Sequence, residues 1–154
     1  MLLREYQPSD AESLAAIYRD AVIGIGSSAY DDKQIEAWSS YPEDIEEFRR
    51  VLSEGLTIVV LHDGKLVAFG QLNPLARIAF VYTASQFARL GYATEIYKRL
   101  EAKAIEQAVQ RLYTEASRIS KHFFLKMGFC VVEAEIVYRK GVQLERFKMA
   151  KIIG

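Results

Sequence analysis

The sequence predicts an α/β fold of the mixed, α+β kind: one central mixed sheet of about seven strands, flanked by helices on both faces. These observations predict it. Segments of strand period and helix period follow one another as β-α-α-α-β-β-β-α-β-α-β-β. The chain has 154 residues, 51% of them apolar, which suits one domain spanning 1–154 with a sizeable core. No repeat, low-complexity tract or linker divides it. Finally, the stretch from Phe80 to Lys103 reads as a strand, a loop and a long helix, and the other elements frame it.

In order, Leu2 to Tyr6 reads as the first strand. Ser9 with Glu12 makes a capping box for a helix whose buried stripe is Leu14, Ile17, Tyr18 and Ala21. Gly24-Ile25-Gly26-Ser27-Ser28 is expected to break that helix. This G-x-G follows a helix rather than a strand, so it reads as a turn and not as a nucleotide loop. Asp31 to Ser39 and Glu43 to Ser53 read as two short helices, the second closed by Gly55. Leu56 to Leu61 and Lys65 to Leu72 form a hairpin around Asp63-Gly64. Asn73-Pro74 turns the chain into a strand over Arg77 to Thr83. From Ala93 the apolar positions Ile96, Tyr97, Leu100, Ala104 and Ala108 make one helical stripe. Arg111 to Glu115 is a fifth strand, and Ser117 to Met127 a helix that Gly128 closes. Val131 to Tyr138 and Val142 to Lys151 make a last hairpin around Lys140-Gly141.

Composition narrows the function. Lys plus Arg number 20 and so do Asp plus Glu, so the formal net charge is zero. Nucleic-acid proteins normally carry a basic surplus, so none is expected as partner. Cys130 is the single cysteine, which forbids an intrachain disulfide. With two histidines and one cysteine, no metal site is expected. Charges appear at Arg4 and Glu5, too early for a signal peptide, and no apolar run approaches the ~20 residues that span a bilayer. No membrane association and a cytoplasmic location are therefore expected.

Two motifs carry a resemblance. Between strand and helix stands Ala88-Arg89-Leu90-Gly91-Tyr92-Ala93, with small residues at Gly91 and Ala93. A helix N-terminus offers unpaired N–H groups and a partial positive charge, which suit an anion. This loop resembles motif A of the GNAT acetyltransferase superfamily, Q/R-x-x-G-x-G/A, which holds the pyrophosphate of acetyl-CoA. Ala88 stands where that motif has Gln or Arg. Further on, Glu115-Ala116-Ser117 to Phe123-Phe124 and Gly128-Phe129 resemble motif B, N-x-x-A-x-x-F-Y-x-x-x-G-F. The opening Glu-Ala-Ser and the double Phe look like the bacterial branch called YafP-like. The likeness runs thinly over nearly the whole chain.

The resemblance implies a GNAT-like acyl-CoA N-acyltransferase fold. It implies an acetyl-CoA-dependent N-acetyltransferase that acts on a small-molecule amine. In that fold the fourth and fifth strands splay, and the pantetheine arm lies between them. Val81, Tyr82 and Thr83 would then lie beside the thioester. Ala88, Arg89, Leu90, Gly91, Tyr92, Ala93 and Thr94 would hold the pyrophosphate, and Ser117, Phe123 and Phe124 would touch the pantetheine. Ser117 is also expected to cap its helix.

The acid and base are less plain. The family's usual acid, a Tyr, is Phe124 here, which has no proton to give and is expected to pack against pantetheine or core. Thiol pKa values near 8.5 let a thiolate leave readily, so an acid is dispensable. Cys130, Tyr113 and His122 are the other options. Cys130 reads as a small buried hydrophobe, and His122 as a surface residue. His62, before the turn, reads as solvent-exposed. A base on the fourth strand is missing, because no acidic residue occurs between Asp63 and Glu95. Glu115 is the nearest carboxylate, and Tyr82 or a water chain is the other route. For the acceptor, Tyr30, Gln34 and Trp38 match the branch's Y-x-x-x-Q-x-x-A-W pattern. If Tyr30 opens the helix, the three share a face. They read equally as a pocket wall and as anchors of a short helix. Two other functions stay open: a non-catalytic acyl-CoA-binding or sensing module, and a protein acetyltransferase acting on lysine or an N-terminus. A homodimer is compatible with the sequence.

Overall fold

The computed structural model describes residues 1–154. Strands β1 (Leu2–Glu5), β2 (Leu56–His62), β3 (Lys65–Leu72), β4 (Arg77–Thr83), β5 (Arg111–Ala116), β6 (Cys130–Arg139) and β7 (Val142–Ile152) form one sheet in the order β1-β2-β3-β4-β5-β7-β6. Only β4 and β5 pair in parallel; every other neighbour is antiparallel. The helices are α1 (Ala11–Gly26), α2 (Asp32–Ser39), α3 (Ile45–Leu52), α4 (Tyr92–Glu106) and α5 (Ser120–Lys126).

Strand alternation divides β2 between two cores. Ile58 and Val60 face Ile96, Leu100 and Ala104 of α4 and Phe124 of α5. Val59 faces Leu14, Tyr18 and Val22 of α1 and Phe48 and Leu52 of α3. Leu100 is fully buried; truncating such a leucine to Ala costs about 2–5 kcal/mol.

Several expected boundaries move. Ser9 caps nothing: Pro8–Asp10 makes a 3-10 turn, and the Gln7 N–H donates to Asp10 Oδ2 at 2.8 Å. The same carboxylate takes Arg4 at 2.8 Å, and that hydrogen bond holds it below the usual carboxylate range. Pro8 pre-sets the tight turn, so the helix starts at Ala11, one residue later than a Ser9 cap implies. Helix α1 then runs through Gly24 to Gly26 instead of breaking. Gly24 serves close approach: a Cβ there would lie 2.7 Å from Ser85 Cβ. The third helix, expected from Glu43, starts at Ile45: Tyr41–Glu43 is a separate 3-10 turn around Pro42, and the Glu47 N–H donates to the capping Asp44 Oδ1 at 3.1 Å. Tyr30 lies outside α2, ahead of the capping residue Asp31, so it does not open that helix.

Two irregularities shape the centre of the sheet. Gln71 pairs with Phe80 but Leu72 with Ile78, so Ala79 is an extra residue bulging from β4. Beyond the pairs Arg77–Tyr113 and Ile78–Thr114, β4 and β5 part. The last five residues of β4 therefore have no neighbour on that side.

Candidate active site

The gap between β4 and β5 leads to the N-terminus of α4. Gly91 holds φ +85° there, and a Cβ on it would meet nothing within 4 Å. Arg89 also has positive φ, 65°. The N–H groups of Arg89, Leu90, Gly91, Tyr92, Ala93 and Thr94 donate to no backbone or side-chain acceptor. Six consecutive free donors at a helix start are a cradle suited to an anion, and the helix dipole adds to it. Ala88, Arg89, Leu90 and Gly91 are exposed, while Ala93 and Thr94 are half-buried. The Arg89 guanidinium is in no ion pair. Tyr92 turns its ring inward and leaves only its N–H to the cradle.

Tyr92 meets a residue expected in solvent. His62 is half-buried, its Nδ1 shares a hydrogen bond with the Tyr92 hydroxyl, and its ring lies 5.1 Å from that of Phe87. One imidazole thus braces the residues on both sides of the loop 88–91. The turn at Asp63-Gly64 folds β2 back beside α4, which neither residue's own neighbourhood announces.

On the other side of the gap lie aromatic rings. Tyr82 is 4.6 Å from Tyr18 and 5.8 Å from Phe69 between ring centroids. Tyr41 lies 5.6 Å from Tyr18 and 5.9 Å from Phe80. Tyr30 and Trp38 meet edge to face at 5.3 Å. Tyr18 donates its hydroxyl to the Trp38 carbonyl at 3.2 Å. Burial pushes the Tyr82 hydroxyl up to about 12, while Trp38 and Tyr18 beside it pull the other way. Tyr82 therefore stays neutral near pH 7 and cannot act as an ionised base; it can pass a proton only by donating and accepting together.

The remaining expected residues are mostly engaged within the chain. Gln34 belongs to the capping box of α2: its N–H donates to Asp31 Oδ1 at 2.8 Å and its Oε1 accepts from the Asp31 N–H at 3.0 Å. Its Nε2 donates to the Gln143 carbonyl at 3.1 Å. The Tyr30 hydroxyl accepts from the Arg118 N–H at 2.8 Å, and Arg118 reaches the Ala29 carbonyl at 2.8 Å. Glu115 accepts from Arg77 Nε at 3.1 and 3.3 Å, so its carboxylate is shared with a guanidinium. Ser117 Oγ accepts from the Ser120 N–H at 3.0 Å, and the Ser117 N–H donates to Ser120 Oγ at 2.9 Å. Ser117 thus closes the turn leading into α5, which begins three residues later than expected with Ile119, not Ser117, at its N-cap. Phe124 is buried between Phe123 and Phe129, each 5.2 Å away, and Phe123 is half-buried. Val81 packs toward α4 and Thr83 is half-buried. His122 is exposed, and so is Cys130, against the expectation of a buried thiol: it starts an edge strand, where nothing covers it.

Sequence reasoning does not single out Arg77, Tyr41, Phe80 or Arg118 for this site. Tyr18 enters the sequence pattern only as part of the α1 stripe. Nor does the sequence announce the tie between the two sides: Asp20 of α1 accepts from the Ser85 N–H at 2.6 Å and the Ser85 hydroxyl at 3.2 Å. Tyr41 next to Pro42 is the one available signal, an aromatic at a helix-breaking corner.

A splayed parallel pair opening on a helix-start cradle, inside this strand order, defines an acyltransferase fold. Residues 26–151 match the family model described as Acetyltransferase (GNAT) domain, and the chain belongs to that family. Among its relatives is the uncharacterized N-acetyltransferase YafP of Escherichia coli strain K12. It is 28% identical over 151 residues, 96% of this chain and 93% of that protein. A GCN5-related N-acetyltransferase from Rhodopseudomonas palustris matches with a TM-score of 0.96 at 28% identity, over 99% of this chain and 95% of that one. The PaiA N-acetyltransferase of Thermoplasma acidophilum, solved in complex with coenzyme A, shares the fold. Its TM-score is 0.80 at 16% identity, over 99% and 98% of the two chains.

Proposed function

We propose that this acyltransferase moves an acetyl group from acetyl-CoA to the primary amine of a small molecule, by direct attack within a ternary complex. The observation that carries the reading is the row of six unpaired N–H groups from Arg89 to Thr94. They suit the donor's diphosphate, and the Gly91 position leaves it room. The PaiA neighbour, solved with coenzyme A, supports the same ligand class.

In this reading the chain positions two reactants and polarises one bond. The pantetheine arm lies along the unpaired edge of β4, with Val81, Tyr82 and Thr83 beside the thioester. A backbone N–H of that same stretch of β4 donates to the thioester oxygen, where negative charge gathers. The neutral amine attacks the carbonyl carbon. The C–N bond forms, the C–S bond breaks, and the sulfur leaves as a thiolate that takes a proton from water. The amine's proton leaves through the Tyr82–Tyr18 hydroxyls or through water to Glu115. Buried Phe124 supplies no proton. Tyr30 and Trp38 wall the acceptor side, with Gln34 holding the helix that carries Trp38. Aromatic rings supply the contact area that a small acceptor needs.

The test is thiol release from acetyl-CoA against a panel of small amines, lysine peptides and N-terminal peptides. Turnover with a small-amine class is expected. Turnover confined to peptides would overturn the acceptor, and tight acetyl-CoA binding with no release for any amine would overturn the reaction.

A further inference from the structure

Strand β6 ends the sheet and has β7 on one side only. It is ten residues long, against four in β1 at the opposite edge. Natural edges are blunted by shortness, proline or charge; this one carries Val132, Ile136 and Tyr138 at 59%, 57% and 66% exposure. Ala134, Ile136 and Tyr138 share one face by alternation, and Glu133, Glu135, Val137 and Arg139 the other.

The turn into β7 fixes which backbone groups are free. Lys140 and Gly141 have φ of 51° and 77° and form a two-residue turn of the primed type. Arg139 and Val142 therefore exchange the closing hydrogen bonds, and the N–H and C=O groups of Ala134, Ile136 and Tyr138 point away from β7. Arg139 is itself unmatched. Its Nε is buried without a partner, and the guanidinium lies 5.8 Å over the Tyr41 ring.

We propose that β6 pairs antiparallel with β6 of a second copy of this chain, about a two-fold axis at Ile136. This joins two sheets into one. Ile136 then faces Ile136 of the other copy, Tyr138 faces Ala134, and Arg139 faces Glu133 twice. Charge selects the register. An axis at Glu135 sets that carboxylate against itself, and one at Ala134 sets Glu133 against Glu135. An axis at Val137 would offer Arg139 only Glu135, which Arg146 at 2.5 Å and Lys148 at 3.4 Å already occupy. Glu133 is freer: it is 62% exposed, with Lys148 no nearer than 3.8 Å. The pairing also steadies the hairpin tip, where Lys140 meets Glu43 at 2.9 Å beside Tyr41 of the aromatic wall.

Sedimentation should give about 35 kDa, twice 17.5 kDa, at micromolar concentration. In a Cys130→Ser background, Ile136→Cys should cross-link to itself under mild oxidation, because directly opposed hydrogen-bonded residues sit about 5.5 Å apart at Cα, within disulfide range. Ala134→Cys and Tyr138→Cys should cross-link when mixed but not alone. Glu133→Arg and Arg139→Glu should each weaken dimerisation at least about tenfold, and a mixture of the two should restore it. A monomer at every concentration tested overturns the proposal. So does a dimer in which Ile136→Cys stays uncrosslinked while its thermal melting matches the parent.

Discussion

The two sides of the gap between β4 and β5 offer a ligand different groups. On the donor side, the groups facing the gap are backbone N–H donors from Arg89 to Thr94, and no side chain satisfies them. On the acceptor side they are rings and amides already bonded to one another: Tyr30 to Arg118, Gln34 to Asp31 and Gln143, Tyr18 to the Trp38 carbonyl. Unmet backbone donors tolerate many sequences, provided one residue takes the left-handed conformation. A wall of interlocked side chains is specific to its own residues. The row of N–H groups therefore asks for few particular residues, and the aromatic wall for many.

The largest break in this comparison comes from Gly91→Glu. The side chain enters open space, and the left-handed backbone costs about 1 kcal/mol against the loss of glycine. The fold should survive. A carboxylate beside a diphosphate should lower acetyl-CoA affinity about a hundredfold or more, through repulsion and bulk. Calorimetry showing unchanged affinity in a folded variant would move the donor elsewhere.

Next in size is Trp38→Ala on the opposite wall. The acceptor KM should rise about tenfold, as for loss of one large aromatic contact, with acetyl-CoA affinity within about twofold. Trp38 also packs against the α1-side core. A melting temperature that collapses while the acceptor KM holds would make it an anchor and not a wall.

His62→Ala tests whether the cradle needs bracing. Loss of the Tyr92 bond and the Phe87 stack should raise the acetyl-CoA KM about three- to fivefold, with kcat at saturation and acceptor KM unchanged. His62→Asn, which keeps a polar atom near the Nδ1 position, should recover part of the loss. An unchanged donor KM would show that the loop 88–91 holds its shape alone.

The smallest effect expected is Tyr82→Phe on the pH profile. Folding lifts this hydroxyl from 10.0 to about 12, so it stays protonated throughout the neutral and mildly alkaline range. The alkaline arm of kcat/KM should keep its midpoint below pH 10 in the variant, although the rate falls. For stability the sign is that of any raised pKa: the contribution is whole below about pH 10 and disappears as pH rises through about 12. A lost alkaline arm in Tyr82→Phe would make Tyr82 the titrating group.

Legibility in the sequence divides along the same line. The succession of strands and helices along the chain, the hairpin turns at Asp63-Gly64 and Lys140-Gly141, and the small residues before α4 are legible because each is a local pattern. The bracing and pairing are not. Arg77 finds Glu115 across 38 residues, His62 finds Tyr92 across 30, and Gln34 finds Gln143 across 109. No spacing rule reaches that far. Gln34 shows the cost: a polar residue among aromatics looks like a ligand contact, but its amide closes a helix cap and ties α2 to β7.

The extra residue at Ala79 reaches further than its one missed pairing. In an unbroken strand Ile78, Phe80 and Tyr82 would have the same parity and face the same layer. Here Ile78 belongs to the α4 side, and Phe80 and Tyr82 to the α1 side. The insertion acts as a phase shift: the strand enters in step with one core and leaves in step with the other. A chain one residue shorter there would swing two large rings toward Ile96 and Leu100, already in close contact with the sheet, and empty the aromatic wall. A single alanine therefore sets which layer of the protein owns the aromatic wall.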